Sequence, residues 1–301
     1  MSKINCFFFA IKLFPYIELI IKYHYIMLSN ISQSVNGKPF LRWAGGKSWL
    51  IKHLSSIIPH QRFNSYHEPF LGGAAIFFHL KPKNAHLSDL NQDLIDCYLQ
   101  VRDNPEAVIS ELRHFENTEE FYYDIRGKAV EDQVLRAAKF IYLNQTSFNG
   151  IYRVNLQGVY NVPFGYRSKD FYDAGNLRAV SQSLSSVNIY QSDFNNTIDT
   201  VQPGDLVFLD PPYTVTHNHN GFVKYNKKLF DLDSQHLLSA YIDKIKEKGA
   251  FYILTNAAHQ EVKKIFAKEG DTMTEINRAS LIGGKNAKRG NYAELIITNI
   301  K

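Results

Sequence analysis

One short segment constrains the fold of this 301-residue chain more than any other. Residues Leu206–Leu209 are all apolar, and Asp210 ends the run. An unbroken apolar run of this length is typical of a strand buried on both faces, as in parallel sheets that are covered by helices. Pro211 and Pro212 then stop the sheet and impose a stiff, extended turn. The segment predicts an α/β fold with Asp210 at the carboxyl edge of a parallel sheet.

Strand-like and helix-like segments alternate on both sides of that run, which is typical of a doubly wound sheet. Residues 251–254 are again continuously apolar, as expected for a second buried strand. The other predicted strands are 64–68, 84–87 and 294–298, and the predicted helices are 74–80 and 235–248.

The middle of the chain has a different pattern. Residues 92–142 carry spaced apolar positions on a charged background, which predicts amphipathic helices. Residues 144–167 are rich in Asn, Gly, Tyr and Arg, which favours a hairpin. We therefore predict that 92–173 is an inserted, mainly helical domain containing a β-hairpin. The segments 37–91 and 174–301 then form one catalytic domain.

Composition narrows the class of protein. Hydrophobic residues make up 45% of the chain, enough for a sizeable core and too many for a disordered protein. The formal net charge of +5 is compatible with a polyanionic partner without requiring one. Cys6 and Cys97 stand far apart and have neither zinc-ligand spacing nor a disulfide pattern. We therefore expect a reducing, cytoplasmic location.

Residues 1–36 form an N-terminal extension of doubtful status. The stretch 4–28 is apolar, but Lys12, Glu18 and Lys22 interrupt it, and a membrane-spanning helix needs about 20 residues with few or no charges. It also lacks a small-residue cleavage site. An amphipathic surface segment, a weak anchor and translated upstream sequence remain as interpretations. We favour the third, with Met27 as the natural first residue, and expect no membrane contact for 37–301. Mass spectrometry of the native N-terminus tests this, and a peptide beginning at Met1 would contradict it.

Two features near the start of the predicted sheet indicate a nucleoside-type ligand. Residues 68–74 combine a strand end, a Gly-rich turn and a helix start, where backbone N–H groups can approach a ligand closely. Asp89 ends the next strand, where an acid can accept hydrogen bonds from two ribose hydroxyls. A purely structural glycine turn, and a helix N-cap for Asp89, are the alternatives.

The segment Asp210–Tyr213 presents groups that suit an exocyclic aromatic amine. The lone pair of such an amine is delocalised into its ring, so the amine is a poor nucleophile. The Asp210 carboxylate and the Pro211 carbonyl can accept its two N–H bonds, which favours a more tetrahedral nitrogen and stabilises the positive charge that develops during transfer. Tyr213 can stack on the face of the base. We expect the catalytic residues to be Asp210, Pro211, Pro212 and Tyr213.

Five motifs occur in the order found in one enzyme family. Residues 40–47 resemble R-W-x-G-G-K, 68–74 resemble E-P-F-x-G-x-G, 88–91 resemble its acid motif, 192–194 its D-F pair, and 210–213 its D-P-P-Y signature. From about 38 to 299 the chain thus resembles the Dam-type (D12 class, alpha group) DNA adenine N6-methyltransferases. Ala74 departs from the pattern, because the family usually has Gly there.

The resemblance implies a Rossmann-like methyltransferase sheet, S-adenosyl-L-methionine as cofactor, and double-stranded DNA whose target adenine is flipped out. Trp43 and Lys47 would line the cofactor site, and Asp89 would hold the ribose. Asp193 and Phe194 would hold the adenine ring of the cofactor. The full set of implied cofactor-binding residues is Trp43, Lys47, Glu68, Phe70, Gly72, Asp89, Asp193, Phe194 and Asp210.

The segment 148–165 resembles the recognition hairpin of family members that read G-A-T-C. Arg153 suits a guanine edge, Asn149 a base or phosphate, and Ile151 a thymine methyl or a gap in the base stack. Ordinary hairpin positions are the alternative for each. Lys288 and Arg289, in a Gly-rich loop, suit phosphate contacts, although charge runs are often only solvated loops. The expected DNA-binding residues are Asn149, Ile151, Arg153, Pro163, Lys288 and Arg289.

Other functions are weighed against this one. His217 and His219 suggest no third ligand, so we expect no metal site. Methyltransferases acting on RNA or on protein glutamine are a second enzyme class, but the glutamine enzymes tend to carry Asn at the position of Asp210. A DNA-binding relic without catalysis is a third interpretation, against which the intact Trp43, Lys47, Asp89 and Asp210 argue. The sequence is compatible both with a methyltransferase that has a cognate restriction endonuclease as partner and with one that acts without such a partner.

Overall fold

The computed structural model describes residues 36–58, 62–155, 157–213, 230–279 and 291–301. Gly37–Lys301 forms one compact unit. Within the described residues its centre is a seven-stranded sheet. The strands are β1 (Tyr66–Glu68), β2 (Ala85–Asp89), β3 (Asn188–Gln191), β4 (Leu206–Leu209), β5 (Phe251–Ala257), β6 (Thr272–Ala279) and β7 (Asn291–Thr298).

The strand order is β3-β2-β1-β4-β5-β7-β6. Strands β1 to β5 are parallel, and β7 runs antiparallel to both β5 and β6. The chain winds outward from β1 through β2 to β3, and then outward in the other direction from β4 to β5. The reversal lies between β1 and β4. In sheets of this kind, ligands bind outside the carboxyl ends of the strands at that point.

The core of β4 explains why its sequence is apolar without a break. Leu206 and Phe208 belong to one buried cluster, and Val207 and Leu209 belong to a second. Because successive strand residues point to opposite faces, these two clusters lie on opposite faces of the sheet. In β7, Ile296 joins the first cluster while its two neighbours join the second, so the same alternation extends across the sheet.

Helices cover the sheet, and most of them begin at a side-chain cap. Five of these caps accept the backbone N–H of the residue three positions further on, which satisfies one of the unpaired donors of a helix start: Asn91, Thr118, Asp132, Asp173 and Asp231. The helices are α1 (Ile51–Ile57), α2 (Ala75–Leu80), α3 (Gln92–Asp103), α4 (Pro105–Arg113), α5 (Glu119–Gly127), α6 (Gln133–Thr146), α7 (Ala174–Leu184), α8 (Leu232–Glu247) and α9 (Gln260–Phe266).

The segment between β2 and β3 holds α3 to α7 and a hairpin. The hairpin has antiparallel bridges between Ser147 and Phe164 and between Val154 and Tyr160. The apolar faces of α3, α4 and α6 share one continuous core with the strands. Helices and then an antiparallel segment follow β2 in the predicted order, although the last helix before the hairpin is longer than predicted. That 92–173 is a separate DNA-recognition domain stays a prediction.

The predicted α/β, doubly wound fold is confirmed. The prediction for β4 matches its observed bounds, while β5 and β7 are each three residues longer than predicted. Helix α8 begins three residues earlier than predicted, because the Asp231 cap precedes its first apolar turn. Helix α6 continues to Thr146, so the hairpin begins later than predicted. In the described ranges, no helix has both the length and the apolar character needed to cross a bilayer.

Candidate active site

Asp210 follows β4 at the carboxyl edge of the sheet, beside the reversal between β1 and β4. Its Oδ1 atom lies 2.7 Å from the ammonium nitrogen of Lys47. The same oxygen accepts a 2.8 Å hydrogen bond from the hydroxyl of Thr255 in β5. Lys47 is 4% exposed and Asp210 19% exposed, so this ion pair is mostly shielded from water. The loop before α1 therefore brings a cation to the carboxylate that ends β4.

Tyr213 is the last residue of the predicted catalytic segment, and its hydroxyl is bonded by a residue of strand β7. Its hydroxyl donates a 2.7 Å hydrogen bond to Oε2 of Glu294 in β7. Because β7 is antiparallel to β5, its amino end lies at the edge where β5 ends, and Glu294 pairs in register with Ala257. The Lys47 ammonium lies 4.9 Å from the centre of the Tyr213 ring, within cation–π distance.

Burial controls the charges at this edge. Desolvation raises the pKa of Asp210, Lys47 and then Thr255 lower it, and the charge of Glu294 raises it again. Burial, followed by the charges of Asp210 and Glu294, raises the pKa of Tyr213 well above its usual value, so its hydroxyl is a donor at neutral pH.

The Gly-rich turn after β1 packs closely against Trp43. Gly72 has a φ of +45°, and a Cβ atom there would lie 2.7 Å from Cδ1 of Trp43. Only glycine fits this conformation and this close approach. The Gly72 N–H donates a 3.1 Å hydrogen bond to Oδ2 of Asp89, while Oδ1 accepts from the N–H of Asn91. The N-cap of α3 is Asn91 and not Asp89, so the structural alternative for Asp89 is wrong.

Acidic groups outnumber basic ones around this turn. The Glu68 carboxyl is 3% exposed and accepts a 2.9 Å hydrogen bond from the Tyr66 hydroxyl. Burial raises the pKa of Glu68 well above its usual range; the Tyr66 bond opposes this, and the charges of Asp210 and Asp89 add to it. Burial also raises the pKa of Asp89, against the backbone N–H groups that bond it. An edge with these carboxyls and the single ammonium of Lys47 among its described residues favours a ligand that carries positive charge.

Aromatic rings line the two flanks of the turn. Trp43 stacks on Tyr152 of the hairpin at 5.6 Å between ring centres. On the other flank, Phe70 and Phe194 lie 5.2 Å apart, and both contact Phe230. The Asp193 carboxylate accepts the N–H of Asn195 and begins a short 3-10 helix. Phe194 thus lies beside the turn, and contact of Asp193 with a cofactor stays a prediction.

The hairpin presents four of the predicted DNA-binding residues. Asn149, Arg153 and Pro163 are exposed, and Ile151 is half-buried. The Arg153 guanidinium is held at its base by Asn161, with Nε 2.7 Å from Oδ1. Lys288, Arg289, His217 and His219 lie outside the described residues. Among the residues that are described, no cluster of His, Cys, Asp and Glu could hold a metal ion.

The sequence interpretation missed Thr255 and Glu294. Thr255 follows an apolar run and Glu294 precedes one, so the sequence around each residue gives no reason to single it out. Thr255 stands directly after the apolar run of β5, one residue beyond the level at which Leu254 pairs with Leu209. Knowing the strand order was therefore necessary, since only that order places both residues beside Asp210.

The fold and this edge define a class: doubly wound α/β proteins with a shielded carboxylate at the switch point of the sheet, where ligands bind in such folds. The family is given by direct comparison. Residues 43–279 match the D12 class N6 adenine-specific DNA methyltransferases. The chain belongs to this family, whose members methylate adenine in DNA and whose chemistry implies S-adenosylmethionine.

Several curated relatives support the assignment. Type II methyltransferase M1.LlaDCHI of Lactococcus lactis subsp. cremoris is 34% identical, and the match covers 88% of this chain and 96% of the relative. Type II methyltransferase M.MjaIII of Methanocaldococcus jannaschii is 35% identical, covering 87% of this chain and 99% of the relative. The DNA adenine methylase of Escherichia coli is 25% identical, covering 84% and 92%.

Proposed function

We propose that this chain transfers a methyl group from S-adenosylmethionine to N6 of a flipped-out adenine in double-stranded DNA, within the sequence G-A-T-C. The observation that carries the proposal is the shielded Asp210 carboxylate, held by Lys47 at the carboxyl edge of the sheet and adjacent to Tyr213. Membership of the adenine methyltransferase family supports the type of reaction.

The residues around the Gly72 turn fit the chemistry of this cofactor. S-adenosylmethionine carries a sulfonium and an ammonium charge, and the acidic groups Glu68, Asp89 and Asp210 suit a cation of this kind. Asp89 would hold the ribose hydroxyls and Trp43 would line the site. When bound, the cofactor supplies a methyl carbon whose bond to sulfur breaks, with the electron pair remaining on sulfur.

Asp210, Pro211 and Tyr213 would act on the target base. The Tyr213 ring stacks on the adenine, while the Asp210 carboxylate and the Pro211 carbonyl accept the two N–H bonds of N6. The N6 lone pair forms the new bond to carbon, and the positive charge that develops on nitrogen is stabilised by the carboxylate. Fixed dipoles in a shielded site achieve this without the reorganisation that water would require. N6 then gives up one proton, for which Asp210 is the adjacent acceptor.

Recognition of DNA would fall to the hairpin. Arg153 is exposed, and although its Nε and Nη2 atoms both donate to Asn161, the N–H groups of Nη1 and one of Nη2 are available to a guanine edge. Asn149, Ile151 and Pro163 would contribute the remaining contacts with bases and backbone. Extruding the adenine costs a few kcal/mol, which these contacts must offset.

A plasmid assay tests the substrate and the sequence together. Unmethylated plasmid is incubated with the protein and cofactor, then digested with a nuclease that cuts only N6-methylated G-A-T-C. Cutting that depends on the wild-type chain, and is absent with Asp210→Ala, supports the proposal. Methyl incorporation without cutting would overturn the G-A-T-C assignment. Incorporation into RNA or into protein glutamine would overturn the assignment to DNA.

The biological setting follows from the same proposal. The two type II relatives bear names from restriction–modification systems. We infer that a restriction endonuclease of the same specificity is a cognate partner. The enzyme would act in the cytoplasm, associated with the nucleoid through DNA.

A further inference from the structure

Thr255 is a fully buried polar residue at the end of β5, with an exposed fraction of 0%. Its hydroxyl has one hydrogen to donate and three acceptors nearby: the Asp210 carboxylate, the Leu209 carbonyl and the neutral Tyr213 hydroxyl. The Asp210 Oδ1 atom is 2.8 Å away and the Leu209 carbonyl oxygen 3.5 Å away. The shorter contact, to a charged acceptor, is the stronger hydrogen bond. The only hydrogen of the hydroxyl is therefore committed to the carboxylate.

The donors that reach Asp210 converge on one of its two oxygens. Lys47 and Thr255 both bond Oδ1. Within the ranges that the structure describes, no hydrogen bond ends on Oδ2. A carboxylate held by two donors from different elements, the loop before α1 and strand β5, has a fixed plane, which also fixes the position of Oδ2.

We propose that Thr255 is a positioning residue which, together with Lys47, holds Oδ1 of Asp210 and so presents Oδ2 to the N6 amine of the target adenine. The inference rests on the proposed function and assigns a separate atom to each task. Oδ1 belongs to the protein framework and Oδ2 to the substrate.

We call the pair of donors Lys47 and Thr255 the clamp. The charges around Asp210 act on the orientation of its carboxylate, which the clamp holds in place. The groups that act electrostatically on Asp210 from the packed elements are Lys47, Tyr66, Glu68, Tyr213 and Glu294. The charge of Glu294 repels the carboxylate, and Lys47 alone is a single point of attachment about which the group can turn. The Thr255 hydroxyl adds a second point, with the directionality of a hydrogen bond.

A matched pair of variants tests the clamp. Thr255→Val has nearly the same shape without the hydroxyl, and Thr255→Ser keeps the hydroxyl. On duplex DNA containing the methylation site, we expect Val to lower kcat by about 10- to 100-fold with nearly unchanged KM for DNA and cofactor. Ser is expected to stay within about threefold of wild type. Equal losses in Val and Ser, or a Val variant as active as wild type, would overturn the proposal.

The pH profile separates positioning from general damage to the fold. The Thr255 hydrogen bond lowers the pKa of Asp210, so its removal shifts the acidic limb of the kcat profile to higher pH in Val and not in Ser. A smaller folded fraction lowers every point of the profile equally and moves no limb. If Val does not fold, Thr255→Ala provides the same measurement, and an unshifted limb there contradicts the clamp.

Wild-type protein in the same assay separates this inference from the proposed function. If the wild-type chain forms no N6-methyladenine, the proposed function is wrong and the assignment of Oδ2 is wrong with it. If the wild type is active and the Val and Ser variants behave alike, the function stands and only the role of Thr255 is rejected.

Discussion

Ala74, where the family usually has glycine, shows how a single residue can depart from a motif at little cost. Its φ of 53° and ψ of 32° lie in the left-handed region. The residue is 1% exposed, and its methyl group belongs to the buried core cluster. The left-handed backbone at this position is one that glycine adopts without strain, which is consistent with the glycine of the family motif.

We expect Ala74→Gly to change the free energy of unfolding by no more than about 1 kcal/mol. Relief of left-handed strain, about 1–2 kcal/mol, is offset by a lost buried methyl of about 0.8 kcal/mol and by the freedom of glycine in the unfolded chain. Cofactor affinity should be unchanged. Ala74→Val should lower stability by more than about 2 kcal/mol, because a branched side chain is strongly disfavoured at positive φ. Chemical denaturation measures both, and a well-tolerated valine would contradict the conformation.

The raised pKa of Glu68 predicts that cofactor affinity depends on pH. Burial favours the protonated acid, whereas a cationic ligand favours the carboxylate, so binding releases a proton. Affinity should therefore increase as pH rises through the raised pKa. Without ligand, the stability of the fold depends on pH in the opposite direction. Because the pKa of Glu68 is higher in the folded state than in the unfolded state, the free energy of unfolding falls as pH rises above the unfolded pKa.

Calorimetry measures this linkage. Titrations over the pH range in which the protein stays folded, in buffers of different ionisation enthalpy, count the protons released on binding. Glu68→Gln cannot release that proton, so its affinity should be lower and depend less on pH. A wild-type affinity that does not vary with pH over that range would contradict the assignment of Glu68 to the cofactor site.

At the scale of elements, the hairpin is joined to the cofactor turn by the stack of Tyr152 on Trp43. We expect Tyr152→Ala to raise the dissociation constant for cofactor by about 2- to 10-fold, because an aromatic pair contributes about 0.5–1.5 kcal/mol and Trp43 keeps only its more distant stack on Phe140. Tyr152→Phe keeps the ring while it loses the 3.2 Å hydrogen bond to Asp93, so it should bind almost normally. Fluorescence titration of both variants with cofactor measures the two dissociation constants. Equal affinities in Ala and Phe would exclude the stack as a support for the site.

Elements with a strong local pattern were predictable, and those that depend on their neighbours were not. Strand β4 is buried on both faces and is apolar throughout, so its bounds were read directly from the sequence. Strand β3 begins with an exposed Asn188 and ends with an exposed Gln191 at the edge of the sheet, so it has no such run. Strand β6, at the other edge, was missed for the same reason, since edge strands need less apolar sequence.

The residues of the candidate site also divide into those that the sequence predicts and those that it does not. Asp210 and the turn at Gly72 were predictable, because their chemistry lies in contiguous motifs. Thr255 and Glu294 were not, because they reach Asp210 and Tyr213 only through the pairing of β4 with β5 and of β5 with β7. Lys47 was singled out only by its family resemblance, and its ion pair with Asp210 is a long-range contact.

At the scale of the whole molecule, the sheet brings three parts of the chain to one edge. The segment before α1 supplies Lys47, the turn after β1 supplies Gly72, and the strands β4, β5 and β7 supply the acids and hydroxyls around the catalytic segment. The hairpin reaches this edge through Trp43. In the proposed mechanism the shielded carboxylate of Asp210 makes a weakly nucleophilic amine reactive. Replacing Asp210 is therefore the most direct test of the mechanism.

Nucleoside analysis by mass spectrometry, with wild type and Asp210→Ala side by side, tests this directly. Duplex DNA containing G-A-T-C is incubated with cofactor and hydrolysed to nucleosides, and DNA affinity is measured in parallel. We predict N6-methyladenine with the wild type, none with Asp210→Ala, and DNA affinity within about threefold for the two proteins, because the hairpin is intact in both. N6-methyladenine at the wild-type rate in Asp210→Ala would contradict the account.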